Sequence, residues 1–229
     1  MKMHALTREL IEAGGIDALV ARDAPDLAVL TQAERAASLT ATLAARPEGP
    51  VWLFAYGSLI WNPTVRVEAC RVGRIDGWHR AFCLETVVGR GSRAHPGLTL
   101  ALDSGGDCTG VAFRLPEEGL EHELSLLWRR EMLSGAYVPR WLEVTDPDGG
   151  EIGCAIAFTM DRANPHYAGG LSEEEVVERL ATARGAIGSA AEYLFATCEG
   201  LAGHGVSDPA LDALAAAVRR RREALESQG

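Results

Sequence analysis

The sequence predicts an α+β domain in which a curled, barrel-like sheet is flanked by helices. Three observations lead to this expectation. Short apolar segments separated by turn residues fill residues 51 to about 160, helical patterns lie on both sides of them, and one helical pattern at about 117–133 interrupts them. At 229 residues the chain is long enough for one substantial domain with its own core. We therefore expect a helical leader over residues 1–49 and a main domain over residues 50–229 that ends in helices.

The first fifty residues carry the signals of helices. Thr31 and Glu34 have the spacing of a capping box, and Leu39 and Leu43 continue an apolar stripe on one face of the same helix. The sequence PEGP at 47–50 then stops the helix, because proline cannot donate the next backbone hydrogen bond. We expect the leader to end there.

The middle of the chain predicts a series of short strands. Their shared feature is a run of β-branched, aromatic or other apolar residues bounded by glycine, proline, aspartate or serine. Two stretches, DSGGD at 103–107 and DPDGG at 146–150, are turn sequences of the kind that joins antiparallel neighbours. The predicted strands are VWLFAYGSLIW, VEACRVGRI, RAFCLETVV, LTLALD, CTGVAFRL, WLEVTD and EIGCAIAFTM.

Beyond residue 160 the pattern returns to helices. Ser172 and Glu175 form a second capping box, and Asp208 followed by Pro209 places a capping side chain before a proline suited to the first turn. The run of arginines at 219–222 falls in the last turns of the C-terminal helix, where cations favour the helix dipole. We interpret this run as a solvated helix end.

Composition restricts the possible partners. The chain has 32 acidic and 22 basic residues and a formal net charge of −10, which disfavours nucleic acid and anionic membrane surfaces as ligands. No window approaches a membrane-spanning apolar stretch, and the N-terminus lacks the pattern of a signal peptide, so we expect a cytoplasmic protein. For the oligomeric state we expect a monomer. The five cysteines are widely spaced without a CxxC pair, so we expect buried, reduced thiols.

Three familiar kinds of site fit the sequence poorly. The segment GRGSRA at 89–94 matches a dinucleotide-binding fingerprint, but His95 and Pro96 follow it where a helix should begin, so we predict a loop. The six histidines are scattered, and His122 lacks the second histidine of a zinc-binding helix, so we expect no metal. Ser58 lacks the second glycine of a nucleophile elbow, which disfavours a serine hydrolase.

One acidic residue is predicted to face inward. In the helix at about 117–133, Glu131 stands four residues after Leu127 and three after Trp128, in the middle of the apolar stripe. An unpaired carboxylate is costly to bury and its pKa rises, so such a residue either has a partner or takes part in proton transfer. An ion pair with an arginine such as Arg114 or Arg140, or a helix end tilted into water, is the alternative interpretation.

The stretch VWLFAYGSLIWNP at 51–63 contains a second candidate. Gly57 and Ser58 interrupt an apolar strand, and a glycine followed by a small hydroxyl residue allows a sharp turn that presents several N–H groups to an anion. Such a turn suits a carboxylate or a developing oxyanion. A β-bulge that only redirects the strand is an equally consistent interpretation.

Taken in order, several motifs resemble those of a known family. VWLFAYGSLIWNP, GWHRAFCL, GRGSRAHPGLTLALD, CTGVAFRL, LWRREMLSGAYVPRW and PHYAGGLS are similar to the ChaC family of glutathione-specific γ-glutamylcyclotransferases. The resemblance runs from about residue 30 to residue 214, and YGSL combined with REM is its specific part. It implies a γ-glutamylcyclotransferase-like fold, a small mixed β-barrel flanked by helices. It also implies an enzyme that cleaves glutathione to 5-oxoproline and cysteinylglycine without a cofactor.

The resemblance further implies roles for particular residues. Glu131, within REM, takes the position of the family's catalytic glutamate, and Tyr167 that of a tyrosine that contacts the γ-glutamyl group. Where the family usually has a proline and an asparagine in a late helix, this chain reads GSAAEY at 188–193, and we assign no pocket residue there. The residues at the position of the family's substrate-binding loop are Tyr56, Gly57, Ser58 and Leu59.

The implied chemistry agrees with an inward-facing acid. The α-amine of a γ-glutamyl group can attack its own γ-carbonyl and close a five-membered ring, which requires neither water nor an enzyme nucleophile. The enzyme holds the bent conformer, and orientation of this kind contributes up to about 7 to 11 kcal/mol. Glu131 can take the proton of the incoming amine and give it to the departing one.

Two alternatives stay open at this point. One is a cyclotransferase for other γ-glutamyl peptides or amines, because no motif identifies what contacts the cysteinylglycine half. The other is a non-catalytic regulatory or binding protein. The acid in the apolar stripe argues against this alternative. Formation of 5-oxoproline from glutathione separates an enzyme from a binder.

Overall fold

A computed structural model describes residues 6–228, in which five strands close into a barrel surrounded by helices. The barrel strands are β1 Trp52–Ala55, β2 Ala69–Thr86, β3 Gly97–Arg114, β4 Tyr137–Thr145 and β5 Glu151–Met160. A separate short hairpin consists of β6 Arg184–Gly185 and β7 Gly188–Ser189. The helices are α1 Arg8–Glu12, α2 Gly15–Asp23, α3 Gln32–Ala44, α4 Leu120–Glu131, α5 Glu173–Thr182, α6 Ala190–Gly203 and α7 Pro209–Glu226.

The barrel is closed by one parallel pairing in an otherwise mostly antiparallel sheet. The strand order is β1-β3-β2-β4-β5, and Trp52 of β1 lies opposite Ala155 of β5 in the parallel pair that completes the circle. The hydrophobic core of strands and helices contains large side chains that are almost completely buried, including Phe54, Trp128 and Phe158. The rings of Trp128 and Phe158 meet edge to face with centroids 5.2 Å apart. This architecture confirms the predicted α+β class and the small mixed β-barrel.

The predicted turn at 103–107 is wrong, because β3 continues through it. Gly105 and Gly106 adopt φ angles of +97° and +69°. The partner strand β2 contains Gly77, with a φ of +81°, at the point where the register shifts between Asp76 and Trp78. Glycines in this conformation bend a strand without ending its pairing. Four predicted segments therefore merge into two strands of 18 residues each.

The second predicted turn, DPDGG at 146–150, is confirmed as the connection between β4 and β5. The backbone N–H of Asp146 donates to the carbonyl of Gly150 at 2.7 Å. The N–H of Gly150 in turn donates to Oδ1 of Asp146 at the same distance. The aspartate side chain thus replaces a backbone acceptor inside the turn.

The predicted helix caps are confirmed. Both capping boxes, at Thr31 and at Ser172, have their reciprocal hydrogen bonds. Asp208 accepts from the N–H of Leu211 at 3.0 Å and precedes Pro209, the first residue of α7. The helix predicted at about 117–133 is shorter, because Gly119 in the left-handed conformation precedes it and α4 ends at Glu131.

The leader packs against the rest of the chain through apolar contacts. Ile11 and Ile16 form a buried cluster with Leu126 of α4. The first five residues of the predicted leader lie outside the described residues. No helix within residues 6–228 combines the length and apolar character needed to cross a membrane.

The cysteines depart in part from the expectation of buried thiols. All five are free, and Cys83 and Cys108 are buried. Cys70 is exposed, because the first three residues of β2 all face solvent.

Candidate active site

The turn after β1 is built around a glycine that has no room for a side chain. A Cβ on Gly57 would lie 2.7 Å from the hydroxyl oxygen of Tyr193. The turn is held by hydrogen bonds from Ile60 N–H to the carbonyl of Gly57 and from Asn62 N–H to the carbonyl of Ser58, both 2.9 Å long. Within residues 6–228, the N–H groups of Gly57 and Leu59 donate to no backbone or side-chain acceptor. The turn therefore keeps two unpaired donors, which is the property that an anion site needs.

The entrance to this turn is fixed at Tyr56. Its hydroxyl donates to the carbonyl of Phe158 at 2.8 Å, which ties it to β5. Its own carbonyl accepts from Nε of Arg80 at 2.5 Å. Arg80, in β2, also donates to the carbonyl of Thr109 at 2.7 Å and pairs with Asp208 at the start of α7. The turn is thus held by the sheet on both sides.

Glu131 lies at the last residue of α4, with its side chain only 13% exposed. Nε of Arg130 lies 2.9 Å from its Oε1 atom. The contact lacks the alignment of a hydrogen bond, and Oε1 is buried without any hydrogen-bond donor among the described residues. Burial raises the pKa of the Glu131 carboxyl above its ordinary value, and the positive charge of Arg130 only partly opposes that rise. A buried acid with an unsatisfied oxygen is suited to exchanging a proton with a ligand.

Arg130 connects this acid to the turn after β1. Its Nη2 atom donates to the hydroxyl of Ser58 at 2.8 Å. Its Nη1 atom donates to the carbonyl of Asn62 at 2.5 Å and to the hydroxyl of Thr64 at 3.2 Å. Thr64 has a φ of +57° and is the only residue other than glycine with a positive φ among those described. The planar fork of one guanidinium thereby sets the distance between α4 and the turn.

Two further tyrosines enclose the acid. The hydroxyl of Tyr137 donates to the carbonyl of Leu100 at 3.0 Å. Burial raises the pKa of the Tyr137 phenol well above its ordinary value, and the nearby charge of Glu131 raises it further. Burial and Glu131 also raise the pKa of the Tyr193 phenol. Both phenols therefore stay neutral and able to donate hydrogen bonds at physiological pH.

These groups line one cavity of about 210 Å³. It has a polar part and an apolar part, and Arg90 adds a second cation to its wall. Arg90 is 9% exposed and donates to the carbonyl of Ser189 at 3.3 Å. The polar side chains that line the cavity with Glu131 include Ser58, Arg130, Tyr137 and Tyr193. The arrangement can bind an anionic ligand and move a proton within it.

Neither a cluster of metal-binding side chains nor an activated hydroxyl at Ser58 is found among the described residues. Among the described residues, no group of three or more histidine, cysteine, aspartate or glutamate side chains is arranged to hold a metal ion. The hydroxyl of Ser58 accepts from a cation, Arg130, and that contact does not remove its proton.

A family model described as ChaC-like protein matches residues 51–221. The chain belongs to the ChaC-like family. The glutathione-specific γ-glutamylcyclotransferase of Escherichia coli (strain K12) is 48% identical over 188 residues, which cover 82% of this chain and 81% of that protein. The human glutathione-specific γ-glutamylcyclotransferase 1 is 33% identical over 63% of this chain and 66% of its own length.

A solved structure supports the fold of this ChaC-like chain. The crystal structure of the yeast γ-glutamylcyclotransferase specific to glutathione superimposes with a TM-score of 0.70. The alignment covers 76% of this chain and 98% of the yeast chain at 20% sequence identity, so it supports the fold alone. The fold expected from the sequence motifs is thus confirmed, and the family model and the 48% identical relative confirm the family.

The ChaC motif residues occupy different positions around the cavity. Glu131 and Ser58 line it. Tyr56, Gly57 and Leu59 lie beneath that surface, where Tyr56 and Leu59 are at most 5% exposed. Tyr167 is not in the lining, because its hydroxyl donates to Oδ2 of Asp103 at 2.8 Å. A contact between Tyr167 and the γ-glutamyl group stays a prediction.

Sequence reasoning missed several residues of this ChaC-like site. The segment at 188–193 was expected to supply no pocket residue, yet Tyr193 lies in the cavity because α6 begins at Ala190 and points its first turn inward. The spacing of Ser189 and Glu192, a third capping box, signals that helix start. The segment at 87–96 is a loop as predicted, but it carries Arg90 into the wall. No local signal distinguishes Arg130 from its neighbour Arg129.

The alternative partners considered for Glu131 are engaged elsewhere. Arg114 pairs with Glu68 at 3.0 Å, and Arg140 donates to the hydroxyl of Thr159 at 3.1 Å. The cation beside Glu131 is its sequence neighbour, Arg130.

Proposed function

We propose that this protein is a γ-glutamylcyclotransferase that converts glutathione to 5-oxoproline and cysteinylglycine. The observation that carries the proposal is the Glu131 carboxyl, which is buried in the cavity with one oxygen lacking a hydrogen bond. Membership in the ChaC-like family and 48% identity to a bacterial glutathione-specific γ-glutamylcyclotransferase support the choice of reaction. We propose Glu131 as the general base and acid.

The reaction begins with proton transfer from the substrate's α-ammonium group to the Glu131 carboxylate. The neutral amine attacks the γ-carbonyl carbon, which forms the new C–N bond of a five-membered lactam and places negative charge on the carbonyl oxygen. When that charge collapses, the bond to the cysteinyl nitrogen breaks. The departing nitrogen receives the proton held by Glu131. The regenerated carboxylate then takes the extra proton of the ring nitrogen and passes it to the departing amine, which leaves as an ammonium group, so no water is consumed. The raised pKa of Glu131 favours both transfers near neutral pH.

The cavity also offers compensation for the negative charges of glutathione. Ser58 of the turn lines the cavity, and the unpaired N–H groups of its neighbours Gly57 and Leu59 would suit the α-carboxylate or the developing oxyanion if the substrate reaches them from there. Arg90 and Arg130 line the cavity, and their positive charges favour binding of the carboxylates of glutathione. Anchoring the substrate at two charged points favours the bent conformer in which the amine faces its own carbonyl.

The decisive experiment is the release of 5-oxoproline from glutathione by Glu131→Gln. We expect kcat to fall by about 10²- to 10⁴-fold, the usual contribution of a general acid–base group. Glu121→Gln is the matched control, because Glu121 is exposed on the same helix, and it should leave kcat unchanged. Activity of Glu131→Gln within a few-fold of wild type would end the assignment. A wild-type protein that binds glutathione without forming 5-oxoproline would identify it as a binding protein instead.

A further inference from the structure

The N-terminal leader, with α2 and the segments that flank α1 and α2, forms part of the cavity that contains Glu131. Its contribution, which we term the N-terminal wall, consists of the four apolar side chains of Leu6, Ile16, Leu19 and Leu27. Ile16 and Leu19 are each 6% exposed. The wall carries no hydrogen-bonding side chain, whereas the groups around Glu131 are polar.

The N-terminal wall is fixed to the two elements that carry the site. Arg8 makes two hydrogen bonds, of 2.6 and 3.0 Å, to the fully buried carboxylate of Glu123 in α4. The side-chain amide of Asn62, just after the turn, donates to the carbonyl of Leu6 at 2.9 Å. The wall therefore keeps a defined distance from both Glu131 and the turn.

The N-terminal wall lies outside the part of the chain that defines the family. The family model begins at residue 51, whereas all four wall residues precede residue 28. The groups assigned to the γ-glutamyl half, Glu131 and the turn at 56–59, lie within the matched part. Because those groups are assigned to the γ-glutamyl half, we assign the wall to the departing half.

We propose that the N-terminal wall binds the side chain of the departing residue and selects a thiol or methyl group over a hydroxyl there. The inference rests on the proposed function and names the subsite for the cysteinyl side chain. A thiol behaves as a small hydrophobic group, whereas a hydroxyl buried against methyl groups loses its hydrogen bonds to water. An apolar pocket of this kind discriminates against an isosteric hydroxyl by about 10²-fold at most.

The test compares two tripeptides that differ by one group, γ-glutamyl-2-aminobutyryl-glycine with a methyl and γ-glutamyl-seryl-glycine with a hydroxyl. Their dissociation constants are measured by calorimetry in the Glu131→Gln background, where turnover does not consume them. We expect the methyl compound to bind about 10- to 100-fold more tightly. Adding Leu27→Asn should reduce that ratio to about threefold or less, because the amide supplies a hydrogen-bond partner for the hydroxyl.

The control is Val29→Asn, the same kind of change two residues away at a side chain that is 40% exposed and outside the cavity. It should leave the ratio unchanged. Leu6→Asn, at a second half-buried wall position, gives the same readout if Leu27→Asn fails to fold by circular dichroism. A ratio near one in the parent, an unchanged ratio in the wall variants, or an equal fall in Val29→Asn would overturn the inference. Absence of 5-oxoproline formation would instead refute the proposed function, because the binding ratio does not depend on turnover.

Discussion

Replacement of Arg130 by methionine tests whether one guanidinium holds the acid and the turn together. The side chain of Arg130 is 5% exposed and donates to Ser58, Asn62 and Thr64 while lying beside Glu131. Methionine has a comparable length but neither the charge nor the donors. The change therefore removes three hydrogen bonds and the cation beside the Glu131 carboxyl.

Two effects of the Arg130→Met change are expected, a loss of folding stability and a rise in the pKa of Glu131. Hydrogen bonds from a charged donor contribute about 1.5 to 3 kcal/mol each, and water in the cavity can replace the weakest of them, so we expect about 3 kcal/mol of lost stability. Arg130 also lowers the pKa of the Glu131 carboxyl against the larger effect of burial. Without that cation the pKa rises further, and the acidic limb of kcat/KM for glutathione should move to higher pH, because the free enzyme must hold Glu131 as a carboxylate.

Urea unfolding measures the first effect, and the pH profile of 5-oxoproline release measures the second. Arg129→Met is the matched control, since Arg129 is the preceding residue and its side chain makes a single hydrogen bond within residues 6–228, a 3.5 Å contact to the carbonyl of Glu12. It should change neither quantity. An Arg130→Met protein with wild-type stability and an unmoved acidic limb would refute the idea that Arg130 joins α4 to the turn and tunes Glu131.

Two further predictions concern stability. Burial disfavours the Glu123 carboxylate, but hydrogen bonds from Arg8 and Arg66 outweigh burial and lower its pKa from 4.5 to about 2. The carboxylate therefore contributes its full stabilisation above pH 4.5 and loses it as the pH falls towards 2. Urea unfolding should show the stability difference between wild type and Glu123→Gln narrowing below pH 4.5. A difference that stays constant with pH would contradict this. Gly57→Ala places a Cβ 2.7 Å from the Tyr193 hydroxyl. It should cost about 1 to 3 kcal/mol, most of it restored in the double variant with Tyr193→Phe; equal losses in both proteins would show that the hydroxyl is not the obstacle.

The sequence predictions were correct where the structure depends on residues close together in the chain, and wrong where it depends on distant ones. The capping boxes at Thr31 and Ser172 and the inward face of α4 depend on residues three or four positions apart, and these were predicted correctly. The stretch DSGGD at 103–107 has turn composition but lies within β3, because pairing with β2 along its length outweighs the local preference. Glycine there signals a bend, and only the neighbouring strand decides whether the chain also reverses.

The sequence by itself determined the α+β class, the position of the helices, the family, and the acid that faces inward, since composition, periodicity and motifs are written locally along the chain. Only the tertiary structure decided which distant groups meet that acid. The guanidinium of Arg130 reaches Ser58 across 72 positions, the Tyr193 hydroxyl occupies the space beside Gly57, and the N-terminal wall lies against the same cavity. These contacts depend on barrel closure and helix packing, which bring together residues that share no local pattern.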